Sequence, residues 1–94
     1  MSIEQSVQSL RRETSVLSGP ARQNHHYQSL VVVGEEAVPV LLRELVRDPS
    51  WQLVSVLSEI VGEGSPSIQE DERGYIYRIV DKWHLWGIKK GYLP

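Results

Sequence analysis

The chain of 94 residues contains no cysteine and no long uninterrupted hydrophobic run. Without cysteine, disulfide bonds, thiolate nucleophiles and cysteine-ligated zinc are all excluded. Its apolar runs, such as Leu30 to Val33, are far shorter than the roughly 20 residues that cross a bilayer. The fold is therefore expected to rest on side-chain burial alone, with no membrane span.

Signals for export and for common catalytic sites are also lacking. The N-terminal segment has no basic cluster followed by an apolar block, so we predict no secretory signal and a cytoplasmic location. Gly62, Gly64 and Gly74 have neither a preceding strand nor the Lys-Ser/Thr of a phosphate-binding loop. No serine lies in a nucleophile-elbow pattern. We therefore predict a protein that is not an enzyme and needs no cofactor.

The composition is that of a globular protein, with 40% hydrophobic and 23% charged residues, and it predicts one packed domain over residues 1–94. The net charge of -2 is unevenly distributed. Residues 35–72 hold nine acids and two arginines, whereas residues 73–94 hold five basic residues and one acid. This asymmetry fits either a charged partner or ordinary helix-dipole complementarity, and both interpretations stay open.

The stretch 34–62 has the pattern of a helical hairpin around an Asp48-Pro49-Ser50 break. Apolar residues recur at spacings of three and four, which is typical of buried helix faces. The first arm carries them at Ala37, Val38, Leu41, Leu42 and Leu45, with Arg43, Glu44 and Arg47 expected to face water. The second arm carries them at Trp51, Val54, Leu57, Ile60 and Val61, and we expect Trp51 to fill the corner between helices.

Helices are also predicted on both sides of this hairpin. The first spans about 3–17, with Ser2 as its N-cap and an apolar seam at Ile3, Val7, Leu10 and Leu17. The second begins near Pro20 and ends at Gly34; its valine run would also suit a strand, but no other strand-like segment exists to pair with it. A closing helix covers about 70–90, with Gly91 as its cap and Tyr92 and Leu93 folded back. The chain is predicted to be all-α and compact, with five helices.

The hairpin also resembles a known family. Residues 34–63 follow the pattern G-E-E-A-V-P-x-L-L-x-x-L, a D-P break, and then x-x-V-x-x-L-x-x-I-x-G-E. This pattern resembles the short HEAT-like repeat of bacterial proteins, and the ending around Trp83, Trp86 and Tyr92 is similar to the closing helix that follows such repeats. The resemblance implies a right-handed α-α superhelix with capped ends and a surface that binds another macromolecule. It implies no catalytic residues.

Two groups of residues contain potential metal ligands. His25 and His26 are adjacent, so their side chains on a helix point about 100° apart and cannot grip one ion together. His84 is distant in sequence. The acidic run at residues 70–72 lacks the alternating ligands and the glycine of a calcium loop. We predict no metal site.

The leading functional hypothesis is a protein-protein adaptor whose acidic residues meet a partner with a basic surface. By analogy, an inhibitor, antitoxin or immunity role in bacteria belongs to this class. The candidate contact residues are Glu35, Glu36, Glu44, Glu59, Glu70, Asp71 and Glu72.

Two alternatives come from other parts of the chain. The basic last helix would make a nucleic-acid-binding domain, with Arg78, Lys82, Lys89 and Lys90 as contacts, although a pI near 5.9 argues against it. The apolar seam of the first helix would instead support a homo-oligomer.

Overall fold

The computed structural model describes residues 2–14, 24–72 and 74–94, and these ranges contain helices and no β-strand. The helices are α1 (Ile3–Thr14), α2 (His25–Val33), α3 (Val38–Arg47), α4 (Trp51–Val61) and α5 (Ile76–Lys90). Short 3-10 turns lie at Gly34–Ala37, Gly62–Gly64 and Glu70–Glu72. The predicted all-α class is confirmed, and the described residues pack compactly, with a radius of gyration of 12.5 Å.

Local hydrogen bonds explain where the first two helices begin. At α1 the Ser2 hydroxyl accepts from the Gln5 amide and the Gln5 side chain accepts from the Ser2 amide, which confirms the predicted N-cap. Helix α2 begins at His25 and not near Pro20, because Asn24 has extended backbone angles and its side chain accepts from the His26 amide at 2.8 Å. The predicted positions 15–17 and 20–23 lie outside the described residues.

Helix α3 forms the centre of the core, as its periodicity predicts. Its predicted apolar residues are all buried, and Pro39 lies in its first turn. Glu44, however, does not face water: it accepts hydrogen bonds from Gln8 at 3.1 Å and Arg47 at 2.8 Å and is half-buried under α1.

The predicted face of α4 is partly confirmed, because Leu57 is buried and Val54, Ile60 and Val61 are half-buried and pack against the core. Leu53, Val56 and Leu57 are its buried residues, whereas Trp51 is 48% exposed. Trp51 stands at the first position of the helix, where its ring lies beside the Pro49–Ser50 break and does not fill the helix corner. Which α4 side chains are buried depends on the sides of this helix that α2 and α3 contact.

Contacts between side chains give the relative directions of the helices. Gln8 contacts Glu44 and Arg11 contacts Asp48, so α1 runs parallel to α3. Tyr27 contacts Ser55, and further along both helices Val31 and Gly34 line one groove with Ile60 and Val61, which fits a parallel α2 and α4.

Helix α5 runs antiparallel to α3. Tyr92, after its end, contacts Glu35 before the start of α3, and Gly87 lies against Leu42 in the middle. The segment between α4 and α5 returns along α5: Gly64 contacts Trp86, and Ser67 contacts Lys82. This path brings the C-terminal ends of α4 and α5 to the same side of the molecule.

Candidate functional site

An open groove lies where the C-terminal parts of α2, α4 and α5 meet the start of α3. Its volume is about 330 Å³. We call it the Glu35–Glu59 groove, and its described lining residues are Val31, Gly34, Glu35, Val38, Glu59, Ile60, Val61, Trp86 and Tyr92. These residues combine an aliphatic floor with two aromatic rings and two carboxylates, and none of them is a lysine or an arginine.

Gly34 brings the first carboxylate to the groove. Its φ of 72° and ψ of -132° belong to a region that side-chain-bearing residues rarely adopt. This backbone ends α2, lets the Gly34 amide donate to the Leu30 carbonyl, and starts the 3-10 turn that carries Glu35. The position of Glu35 is therefore fixed by backbone geometry one residue earlier.

Trp86 and Tyr92 form an aromatic wall on the α5 side. Their rings stack at 5.6 Å between centroids with 18° between planes, and Trp86 also meets the buried Trp83 edge-on at 5.2 Å. The Trp86 indole donates to the Gly64 carbonyl at 2.8 Å. Gly91, with φ of 85°, turns the chain so that Tyr92 folds back, which confirms the predicted cap and closure.

Each carboxylate accepts a hydrogen bond from a tyrosine. The Tyr92 hydroxyl donates to Glu35 Oε1 at 2.7 Å, and this bond, together with burial and the charge of Glu35, raises the pKa of Tyr92 above its usual value. The Tyr27 hydroxyl lies 2.9 Å from the Ser55 hydroxyl and donates to Glu59 Oε1 at 3.4 Å. These bonds fix the positions of both carboxylates, which act as acceptors.

The remaining predicted acidic contacts do not join this groove. Glu44 is engaged with α1, and Glu72 accepts from Lys82 and from the Gln69 amide. Those hydrogen bonds hold the pKa of Glu72 below its usual range. Glu36 is exposed beside Glu35, while Glu70 and Asp71 are exposed on the distant Glu70–Glu72 turn. The predicted acidic zone is therefore divided among separate surfaces.

The basic residues of α5 do not form one patch either. Lys82 is tied to the Ser67 carbonyl and to Glu72, and Arg78 lies over the Tyr75 ring at 5.4 Å. Lys89 and Lys90 are adjacent at the helix end, so their side chains point about 100° apart. This arrangement does not favour a continuous nucleic-acid contact.

The two adjacent histidines at the start of α2 differ in burial. His25 is exposed, His26 is buried, and their rings are 3.9 Å apart. Within the described ranges, no three histidine, aspartate or glutamate side chains gather as a metal site. No helix in that part of the chain is long and apolar enough to cross a membrane.

Sequence reasoning missed the aromatic wall and the turn that organises the groove. Trp86 is half-buried and packs against the core while its exposed side lines the groove. A usable signal was the recurrence of Val-Gly-Glu at residues 33–35 and 61–63. Both glycines adopt nearly the same backbone, since Gly62 has φ of 67° and ψ of -132°.

Comparison of the chain with protein-family models, with curated proteins and with solved structures found no match.

Proposed function

We propose that this protein is a non-enzymatic interaction module that binds a basic, amphipathic segment of another protein in the Glu35–Glu59 groove. The observation that carries the proposal is the composition of that groove. Its described lining is aliphatic and aromatic, with carboxylates and no lysine or arginine. Such a surface complements a lysine or arginine next to apolar side chains, because the carboxylates meet the charge while the floor covers the hydrocarbon.

We also propose that α1–α4 form a short HEAT-like array closed by α5. The parallel pairs α1 with α3 and α2 with α4 support this arrangement, as does the same glycine turn after α2 and after α4. In such an array the ends of successive hairpins lie side by side. The groove between them is then a binding surface for a partner, as in the inhibitor or immunity class of proteins that mask a basic site.

The test uses a synthetic helical peptide with lysines on one face and leucines on the other. A second peptide has glutamate at each lysine position. The Trp86 indole N–H donates to Gly64 at the groove edge, so its NMR resonance reports binding there. We expect the basic peptide to shift this resonance and the acidic peptide to leave it unchanged. Equal shifts from both peptides would contradict charge-based recognition.

A charge-neutral variant localises the contact. The double substitution Glu35→Gln with Glu59→Gln keeps an acceptor for each tyrosine but removes both charges, and we expect it to weaken basic-peptide binding by about tenfold, or about 1.4 kcal/mol. The matched control, Glu70→Gln with Asp71→Asn, removes the same charge from a distant turn. An equal loss in the control would mean that net charge, and not the groove, attracts the peptide.

A further inference from the structure

Helix α5 exposes an apolar face on the side opposite the core. Tyr77 is 73% exposed, Leu85 is 67% exposed and Ile88 is 43% exposed. At 100° per residue these three side chains share the outward side of the helix, whereas Ile79, Val80 and Trp83 point inward. We call this set, together with the exposed charged residues Arg78, Asp81 and Lys89 on the same side, the α5 outer face.

Such a face is unexpected on a helix that closes a stack. A helix that caps an array needs a polar outer side to keep the molecule soluble. Large apolar side chains grouped on one exposed side mark a surface that another molecule covers. The α1 seam predicted for self-assembly is not available for this purpose, because Val7 and Leu10 are fully buried in the core of their own chain.

The charges of the α5 outer face indicate which molecule covers it. Asp81 and Lys89 are both exposed, and each stands four residues from Leu85, which is about 6 Å along the axis. If two copies of α5 lie antiparallel about a two-fold axis at Leu85, Asp81 of each copy faces Lys89 of the other. A parallel pair would place like charges together, so the pattern favours the antiparallel arrangement.

We propose that the α5 outer face is the docking site for a second copy of this chain, which pairs as an antiparallel helix dimer centred on Leu85. Leu85 and Ile88 of the two copies form the apolar contact, and Asp81 and Lys89 fix the register. A single pair of helices about 22 Å long gives an interface at the small end of the usual range. The dimer is therefore weak and depends on concentration.

Sedimentation of the full chain at increasing concentration tests the proposal. We expect reversible dimerisation of the wild type and its loss in Leu85→Glu. Asp81→Lys and Lys89→Asp should each weaken dimerisation by about tenfold, and the double variant Asp81→Lys with Lys89→Asp should restore it, because the swapped charges again face each other. Asp71→Lys and Lys90→Asp are the matched controls, since each makes the same charge change away from this face.

Three outcomes would overturn the proposal. The first is a wild type that remains strictly monomeric at the highest concentration. The second is a double variant that dimerises no better than either single variant. The third is a control variant that weakens the dimer as much as Asp81→Lys or Lys89→Asp does. All the substituted side chains are exposed, and circular dichroism of each variant verifies that its helices are retained. The result is independent of the groove, which lies on a different side of α5.

Discussion

At the scale of single residues, the role of a side chain depends on its hydrogen-bond partner as well as on its type. Glu35 and Glu72 are both carboxylates, but a tyrosine hydroxyl donates to Glu35 and a lysine donates to Glu72. The lysine neutralises Glu72 and ties the loop before α5 to the helix. The sequence shows that both residues are acidic, but it does not show which of them is engaged inside the molecule, since that depends on the return path of the loop.

The Glu72–Lys82 contact predicts a pH dependence. Because the folded pKa of Glu72 is lowered, its contribution to stability is present above the ordinary glutamate pKa and is lost as pH falls through the folded value. We expect Glu72→Gln to lower the Tm at neutral pH and to match the wild type in acid. Glu70→Gln, on the same turn, is the control. Thermal melts over an acidic pH series measure both, and a Tm difference that is the same at every pH would disprove the linkage.

At the scale of elements, the sequence predicts the buried side of a helix only when one side is clearly more apolar than the others. Helix α3 has one dominant apolar side, so its spacing predicts its buried residues correctly apart from Val40, which is buried as well. Helix α4 carries apolar residues almost all round, so two phases fit its sequence equally well. The contacts with α2 and α3 bury Leu53 and Val56 fully, whereas Val54 is half-buried and Trp51 is exposed. That choice depends on tertiary packing and is not visible in the periodicity.

The observed burial of the α4 side chains predicts how much unfolding free energy two truncations remove. Leu53 has no exposed surface, so Leu53→Ala should cost about 2–5 kcal/mol of unfolding free energy through lost contacts and a cavity. Trp51→Ala removes a larger side chain but should cost less than about 1 kcal/mol, because half of that ring is already in water. Urea unfolding gives both values. A larger cost for Trp51→Ala than for Leu53→Ala would contradict the observed burial and support the face expected from the sequence.

At the scale of the whole molecule, the all-α class could be predicted, but the direction of α5 could not. Residues 62–75 have no apolar period, so nothing in their sequence shows that they run back along α5. This reversal brings Trp86 and Tyr92 to Glu35 and Glu59 and so completes the groove. Glu35 and Glu59 are the two predicted acidic contacts that line this groove.

The hydrogen bond from the Tyr92 hydroxyl to Glu35 joins two residues that are 57 positions apart in the chain. Tyr92→Phe keeps the ring on Trp86 and removes the hydroxyl, so we expect a lower Tm at neutral pH. The raised pKa of Tyr92 means that the stability difference is full below the ordinary tyrosine pKa and disappears as pH rises through the folded value. Thermal melts of the two proteins in alkaline buffers measure this. Tyr75→Phe, on a tyrosine that is 62% exposed, is the control, and an identical loss there would exclude the Glu35 bond as the cause.

The antiparallel course of α5 also decides which flank of α3 another molecule can reach. Gly87 lies against Leu42 and Tyr92 reaches Glu35, so α5 occupies one flank of α3 from its middle to its start. A molecule that approaches from this flank meets the outer side of α5 and not α3 itself.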